Sequence, residues 1–343
     1  MPQPPLEVSK YLASPLPSLR EQYPPGTGGT GPRAEWPEGT LNGVQEIDDF
    51  RQLTSAYMES LPSEPIRAHP AHKYPKFVQA ITTIPTVLKS SSDLQKCLST
   101  LPLDAVSAVL TALEADASET QVGPTGAEAL DRAGYESDGG EEFSSHRRQE
   151  PHVKAWTWRF NKSPLGSGEF LLVQQGSEDV RLVVRTINSA AFTAHDWEEF
   201  VVTGPYHYST KSKASYYWSR TWGATKRLQC QYWVFTDWQR WTFGCFDPDR
   251  KHGWVSGVMG YDSTQPSVLQ ALTYWSQSAI GAEGGFDARK KDVSNLPPLF
   301  PANPSRRISV SHSRPKTTQN AKGVRAANES DIEESDVEGA QGE

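Results

Sequence analysis

Apolar and polar residues alternate through the middle of this chain. Trp156, Trp158 and Phe160 interleave with Thr157, Arg159 and Asn161, a period of two that predicts a strand with one aromatic face. Residues 169–175 and 180–187 read as the next two strands, the second rich in β-branched residues, with Gly176-Ser-Glu178 turning between them. A helix is predicted over 193–202 with Thr193 as its N-cap, and a second, basic and aromatic, over 211–228. Residues 232–236 and 241–246 are strands joined by Asp237-Trp-Gln-Arg240, and 254–259 is the strand after the next loop. Ser267 caps a last helix whose Val268, Leu269, Leu272, Trp275 and Ile280 fall at helical spacing until Gly281 ends it. The order β-β-β-α-α-β-β-β-α over residues 151–285 predicts an α+β fold, with helices packed on a mainly antiparallel sheet. Ten of the eleven tryptophans lie between Trp156 and Trp275, and the predicted core is Trp156, Trp158, Trp233, Phe235, Phe243 and Trp275.

Ahead of this aromatic module the period changes. Over residues 45–115, Ile47, Phe50, Leu53, Tyr57 and Leu61 take helical spacing until Pro62. A short run at 77–81 stops before Pro85, and a third with Leu88, Leu94, Cys97, Leu98 and Leu101 stops at Pro102. Asp104 then N-caps a fourth run carrying Val106, Val109, Leu110 and Leu113. Helices this short do not stand alone, so this small helical segment must pack on itself or on the later module.

Composition marks the rest. The chain has 343 residues with 26 Pro, 26 Gly and a hydrophobic fraction of 36%, too low for uniform folding. The expectation is a disordered Pro/Gly-rich arm over 1–44, a flexible acidic linker over 116–150, and a disordered tail over 286–343, basic and then acidic. A net charge of -7 argues against a chain-wide nucleic-acid footprint. Three cysteines without pairing spacing suit a reducing compartment; Cys230 and Cys245 could meet across a hairpin, or serve as small buried apolar groups. With no apolar leader and no run near the ~20 apolar residues of a span, the expectation is an intracellular protein, cytoplasmic or nuclear, without a membrane partner.

Trp156-Thr-Trp-Arg-Phe160, the stretch from Tyr232 to Phe246, and Tyr261-Asp-Ser-Thr-Gln-Pro-Ser-Val-Leu-Gln-Ala-Leu-Thr-Tyr-Trp275 carry a resemblance. Over residues 151–285 the chain resembles a family of uncharacterised proteins of mushroom-forming (basidiomycete) fungi, which implies an origin and no activity. A second resemblance is to the PD-(D/E)xK nuclease fold, carried by a helix, a strand reading Val-Phe-Thr-Asp and a following Trp-Thr-Phe strand. That family holds Mg²⁺ with an Asp and with a Glu two residues before a Lys, since phosphodiester cleavage needs carboxylates clustered on a hard cation. Here the corresponding strand, Asp179-Val-Arg-Leu-Val-Val-Arg-Thr186, has no Glu-x-Lys. Glu169 and Asp179 are the candidate catalytic remnants, and the resemblance implies a degenerate site.

Other candidates follow from residue type. Lys211, Lys213, Arg220, Lys226 and Arg227 interleave with Tyr216, Tyr217, Trp218 and Trp222, which suits single-stranded nucleic acid if the aromatics are exposed, or a solvated basic face if they are buried. Asp247-Pro-Asp-Arg-Lys-His252 reads as a turn, and no metal or cofactor motif is found. In the tail, Ser309 follows Arg306-Arg-Ile, and Ser330 and Ser335 precede carboxylates; these are the phosphorylation candidates. The sequence thus predicts a non-enzymatic intracellular interaction module with a protein partner. The alternative is a nuclease-like fold that binds, or formerly cleaved, nucleic acid.

Overall fold

The computed structural model describes residues 3–24, 41–70, 72–121, 153–162, 168–206, 208–209 and 211–291. In chain order the elements are α1 (Val8–Leu12), β1 (Arg20–Glu21), β2 (Gly43–Ile47), α2 (Phe50–Ser60), α3 (Phe77–Thr83), β3 (Val87–Leu88), α4 (Ser91–Leu98) and α5 (Asp104–Gln121). The second half adds β4 (Trp156–Asn161), β5 (Glu169–Gln174), β6 (Val180–Thr186), α6 (Ala194–Phe200), β7 (Gly204–Pro205) and α7 (Lys213–Arg227). It closes with β8 (Tyr232–Thr236), β9 (Arg240–Phe246), β10 (His252–Ser256), β11 (Met259–Gly260) and α8 (Val268–Ile280).

One large sheet runs β4-β5-β6-β8-β9-β10-β2-β7, with β11 added to β9. Its pairs are antiparallel except β6 with β8 and β10 with β2. This is the predicted α+β class; the element order differs from the expected one by two short strands, β7 between α6 and α7 and β11 before α8. The period of two in the sequence becomes two cores. On β8, Tyr232 and Val234 face α8, α5 and α2, while Trp233 and Phe235 face α6 and α7. Every residue of β8 is buried, so its sequence is apolar almost throughout rather than alternating with charge.

The caps of α6 and α8 hold as read. Thr193 and Ser267 each close a capping box, with Asp196 and Gln270, and Gly281 ends α8 at φ 83°, a conformation glycine adopts without a Cβ penalty. Trp156, Trp233, Phe235, Phe243 and Trp275 are buried; Trp158 is only partly so, because β4 is a sheet edge.

Several boundaries differ from the sequence expectation. Residues 3–24 are not a loose arm: Val8, Leu12, Leu16 and Leu19 are buried in the α8-side core. Trp238 Nε1 donates to Pro17 O at 3.1 Å, Gln239 Nε2 donates to Leu19 O at 2.8 Å, and the Ser267 hydroxyl donates to Leu12 O. Nor is 45–115 a separate helical segment. Residues 43–47, at whose end a helix was expected to begin, form β2, a strand between β10 and β7. Pro102 does not stop a helix and Asp104 does not cap one. A π-helical turn, Ser99–Leu103, absorbs the proline, and the chain runs as one helix from Ser91 to Ser118. That helix is long and apolar enough to cross a membrane, and 72% of its apolar window is buried by the protein itself. The expected linker does not begin at 116, since α5 continues to Gln121; residues 122–150 of that stretch lie outside the described residues. The module also extends past 285: Phe286 and Ala288 are buried, and the Phe286 ring packs tilted against Trp275 at 5.4 Å; residues 292–343 of the expected tail lie outside the described residues.

Candidate functional site

Sequence reasoning singled out Glu169 and Asp179, and the structure separates them. Glu169 opens β5 and lies opposite Arg185 near the end of β6. Asp179 precedes the start of β6, six residues from Arg185, about 20 Å away at the rise of an extended strand. Asp179 is 78% exposed and lies 3.9 Å from Arg181. The two carboxylates do not meet.

Glu169 is instead enclosed by cations. Its Oε1 lies 3.3 Å from Arg185 Nε, and its Oε2 lies 3.9 Å from Arg227 Nη2. Arg185 Nη1 donates to Thr221 Oγ1 at 3.3 Å. Burial pushes the Arg185 guanidinium below its ordinary range, and the Glu169 charge opposes that shift. Glu169 Oε2 and Arg185 Nε are buried and accept or donate no hydrogen bond within the protein. The arrangement neutralises a buried charge; it leaves no second carboxylate to share a divalent cation. Among the described residues, no group of three or more His, Cys, Asp or Glu is placed to hold a metal.

The basic residues of α7 do not form one stripe. Lys211 precedes the helix and is exposed. Lys213 Nζ donates to Ala191 O at 2.9 Å and sits 3.7 Å from Asp196 of α6. Lys226 lies over the Trp222 ring at 5.0 Å. Arg227 lies 3.9 Å from Glu169, and the charge of Arg220 opposes that of Arg185. Tyr217, Trp218 and Trp222 face inward. Trp218 and Trp222 are buried, with indole nitrogens donating at 2.9 Å to Phe200 O and Arg250 O respectively. Tyr217 packs 5.2 Å from both Phe192 and Phe235. The amphipathic reading of this helix is therefore the correct one for Trp218 and Trp222, which offer no face for base stacking.

Two features lay outside the sequence prediction. The first is Asp237, fully buried in the β8–β9 turn. It accepts from Trp197 Nε1 at 3.1 Å, Arg240 N at 2.6 Å and Arg240 Nη1 at 3.2 Å. Burial pushes its carboxyl up to about 6, against the Arg240 amide and charge. The second is a groove of about 1110 Å³ between α2, α5, α8 and the edge of the sheet. Glu114 stands in its wall and accepts from Trp156 Nε1 and from Gln174 Nε2. A backbone bond from Trp156 N to Thr111 Oγ1, at 2.9 Å, fixes β4 against α5 beside it.

Asp247 and His252 form the expected turn: the amides of Lys251 and His252 both donate to Asp247 Oδ1. Cys97, Cys230 and Cys245 are buried and free. The phosphorylation candidates Ser309, Ser330 and Ser335 lie outside the described residues. The chain matches no protein-family model, no curated protein and no solved structure.

Proposed function

We propose that this protein is a non-catalytic interaction module. The observation that supports it is the fate of the two candidate carboxylates. Glu169 is buried against Arg185 and Arg227, and Asp179 stands at the far end of β6 in solvent. Metal-assisted hydrolysis needs carboxylates within one coordination sphere, a few Å apart. Purified protein incubated with Mg²⁺ and single-stranded DNA, double-stranded DNA or RNA is expected to leave all three intact. Mg²⁺-dependent cleavage that Asp179→Ala abolishes would overturn the proposal.

One observation favours a second reading, a nuclease-like scaffold that retains nucleic-acid binding. After β5 and β6, with α6 and β7 intervening, come α7, β8 and the Trp-bearing β9, the helix-strand-strand succession on which the sequence resemblance rests. On β6 a valine, Val183, stands two residues before Arg185, where that family has Glu two residues before Lys. Arg220 and Arg227 would then be the phosphate contacts. Retention on single-stranded DNA that falls steeply with salt, and that Arg220→Ser with Arg227→Ser removes, supports this reading. No retention at low salt removes it.

A further inference from the structure

We infer that the groove between α2, α5 and α8 binds a basic, amphipathic peptide segment of a partner protein. The inference rests on the reading of the chain as an interaction module and names the chemistry of what it holds. Three features of the groove agree. Its apolar wall is formed by the partly buried Leu61 of the α2 end, Leu113 of α5 and Ile280 of α8, beside the buried Leu110 and Trp156. Its polar wall is acidic: Glu114, Asp116 and Glu283 line it, and among the described lining residues the one basic side chain is Arg181.

The third feature is the helix ends. The C-termini of α2 and α8 both open into the groove, through Ser60, Leu61 and Pro62 on one side and Ile280 to Gly284 on the other. A helix C-terminus carries about half a negative charge on its last carbonyls, and Lys or Arg in the last turn commonly offsets it. Neither helix has a basic residue in its last turn. Three carboxylates and two helix C-termini without a basic residue therefore face the same space, beside the partly buried Leu61, Leu113 and Ile280. A ligand with only positive charge would leave Leu61, Leu113 and Ile280 unused. A purely apolar ligand would strip water from the exposed Glu283 without replacing it. A segment with Lys or Arg on one side and Leu-like residues on the other satisfies both walls.

The probe is a fluorescently labelled peptide of about 12 residues with Lys and Leu at helical spacing, read by anisotropy against the full chain. Its counterpart with Glu in place of Lys is expected not to bind. Asp116→Arg with Glu283→Arg is expected to weaken the Lys/Leu peptide at least ~10-fold, through the lost charge complementarity. Glu198→Arg with Asp249→Arg makes the same change in net charge at exposed positions that do not line the groove, and is expected to leave affinity within about twofold. Glu283 is exposed, so Glu283→Arg alone serves if the double variant fails to fold. Absence of binding, equal loss in both double variants, or equal binding of the Glu/Leu peptide would overturn the inference. Full displacement by an equimolar polyamine would do so too, since the apolar wall would then play no part. Nucleic-acid cleavage would overturn the non-catalytic reading without moving any of these affinities, so the two failures are distinguishable.

Discussion

The indole of Trp233 lies where the side chain of residue 244 would be. The two are opposite each other on β8 and β9, and a Cβ on Gly244 would fall 2.1 Å from Trp233 Cζ2. The glycine is needed for space, because a ring buried on all sides by Phe200, Trp218 and Phe246 has nowhere to move. Trp233→Ala is expected to cost about 3–5 kcal/mol. Gly244→Ala is expected to cost ~1–3 kcal/mol by overpacking. Denaturant melts of the double variant should show the Gly244→Ala penalty gone once the ring is removed. Two penalties that simply add would refute the steric account.

Asp237 makes stability depend on pH in a direction opposite to that of an ordinary ion-paired carboxylate. Its pKa is 3.8 when unburied and about 6 in the fold, so the folded protein holds a proton that the unfolded chain has lost. The group's contribution is largest below about pH 4 and declines as pH rises to about 6. The stability of the protein relative to Asp237→Asn is expected to fall across that window by on the order of 3 kcal/mol. Thermal melts of both proteins between those pH values measure it, and a constant difference would show that the carboxyl is not raised.

The Glu169–Arg185 pair predicts an asymmetry. Glu169→Leu leaves a buried guanidinium without its counter-ion and is expected to destabilise by about 3–5 kcal/mol. Adding Arg185→Met removes the stranded charge and is expected to recover most of that loss. If the double variant melts as low as the single, the pair is not acting as a buried neutralised unit.

The N-terminal strap is expected to behave as core. Leu12 is fully buried beside α8, and Leu12→Ala should cost about 2–5 kcal/mol. Amide exchange should show protection at residues 16 and 20, whose amides donate to Tyr261 O and Thr86 O. Free exchange there would return this stretch to the status of a tail.

What could be read in the sequence was whatever is set locally. Strands such as Tyr232–Thr236 announce themselves by apolar runs between turn residues, and α8 by Ser267, Gln270 and Gly281. The strap was hidden because Val8, Leu12, Leu16 and Leu19 are spaced among prolines, and only α8 and the β8–β9 turn give them a surface. β2 was hidden because Gly-Val-Gln-Glu-Ile is a strand only beside β10. Glu169 was visible as a carboxylate, but its partner Arg185 depends on the register of β5 against β6, which no local pattern sets. The groove depends on where two helices end in space, and so has no trace along the chain.

The position of β2 also bears on how the chain is made. Its neighbours, β10 and β7, are both more than 150 residues downstream, and the strap before it is fastened by Gln239 and Ser267. A ribosome releases these early segments long before their partners exist. Closing such distant pairs is entropically slow, so the nascent chain must stay open until α8 has emerged. Truncated products that end before residue 267 would expose Val44, Ile47 and the strap leucines together, and would be substrates for chaperones and proteases rather than smaller versions of the protein.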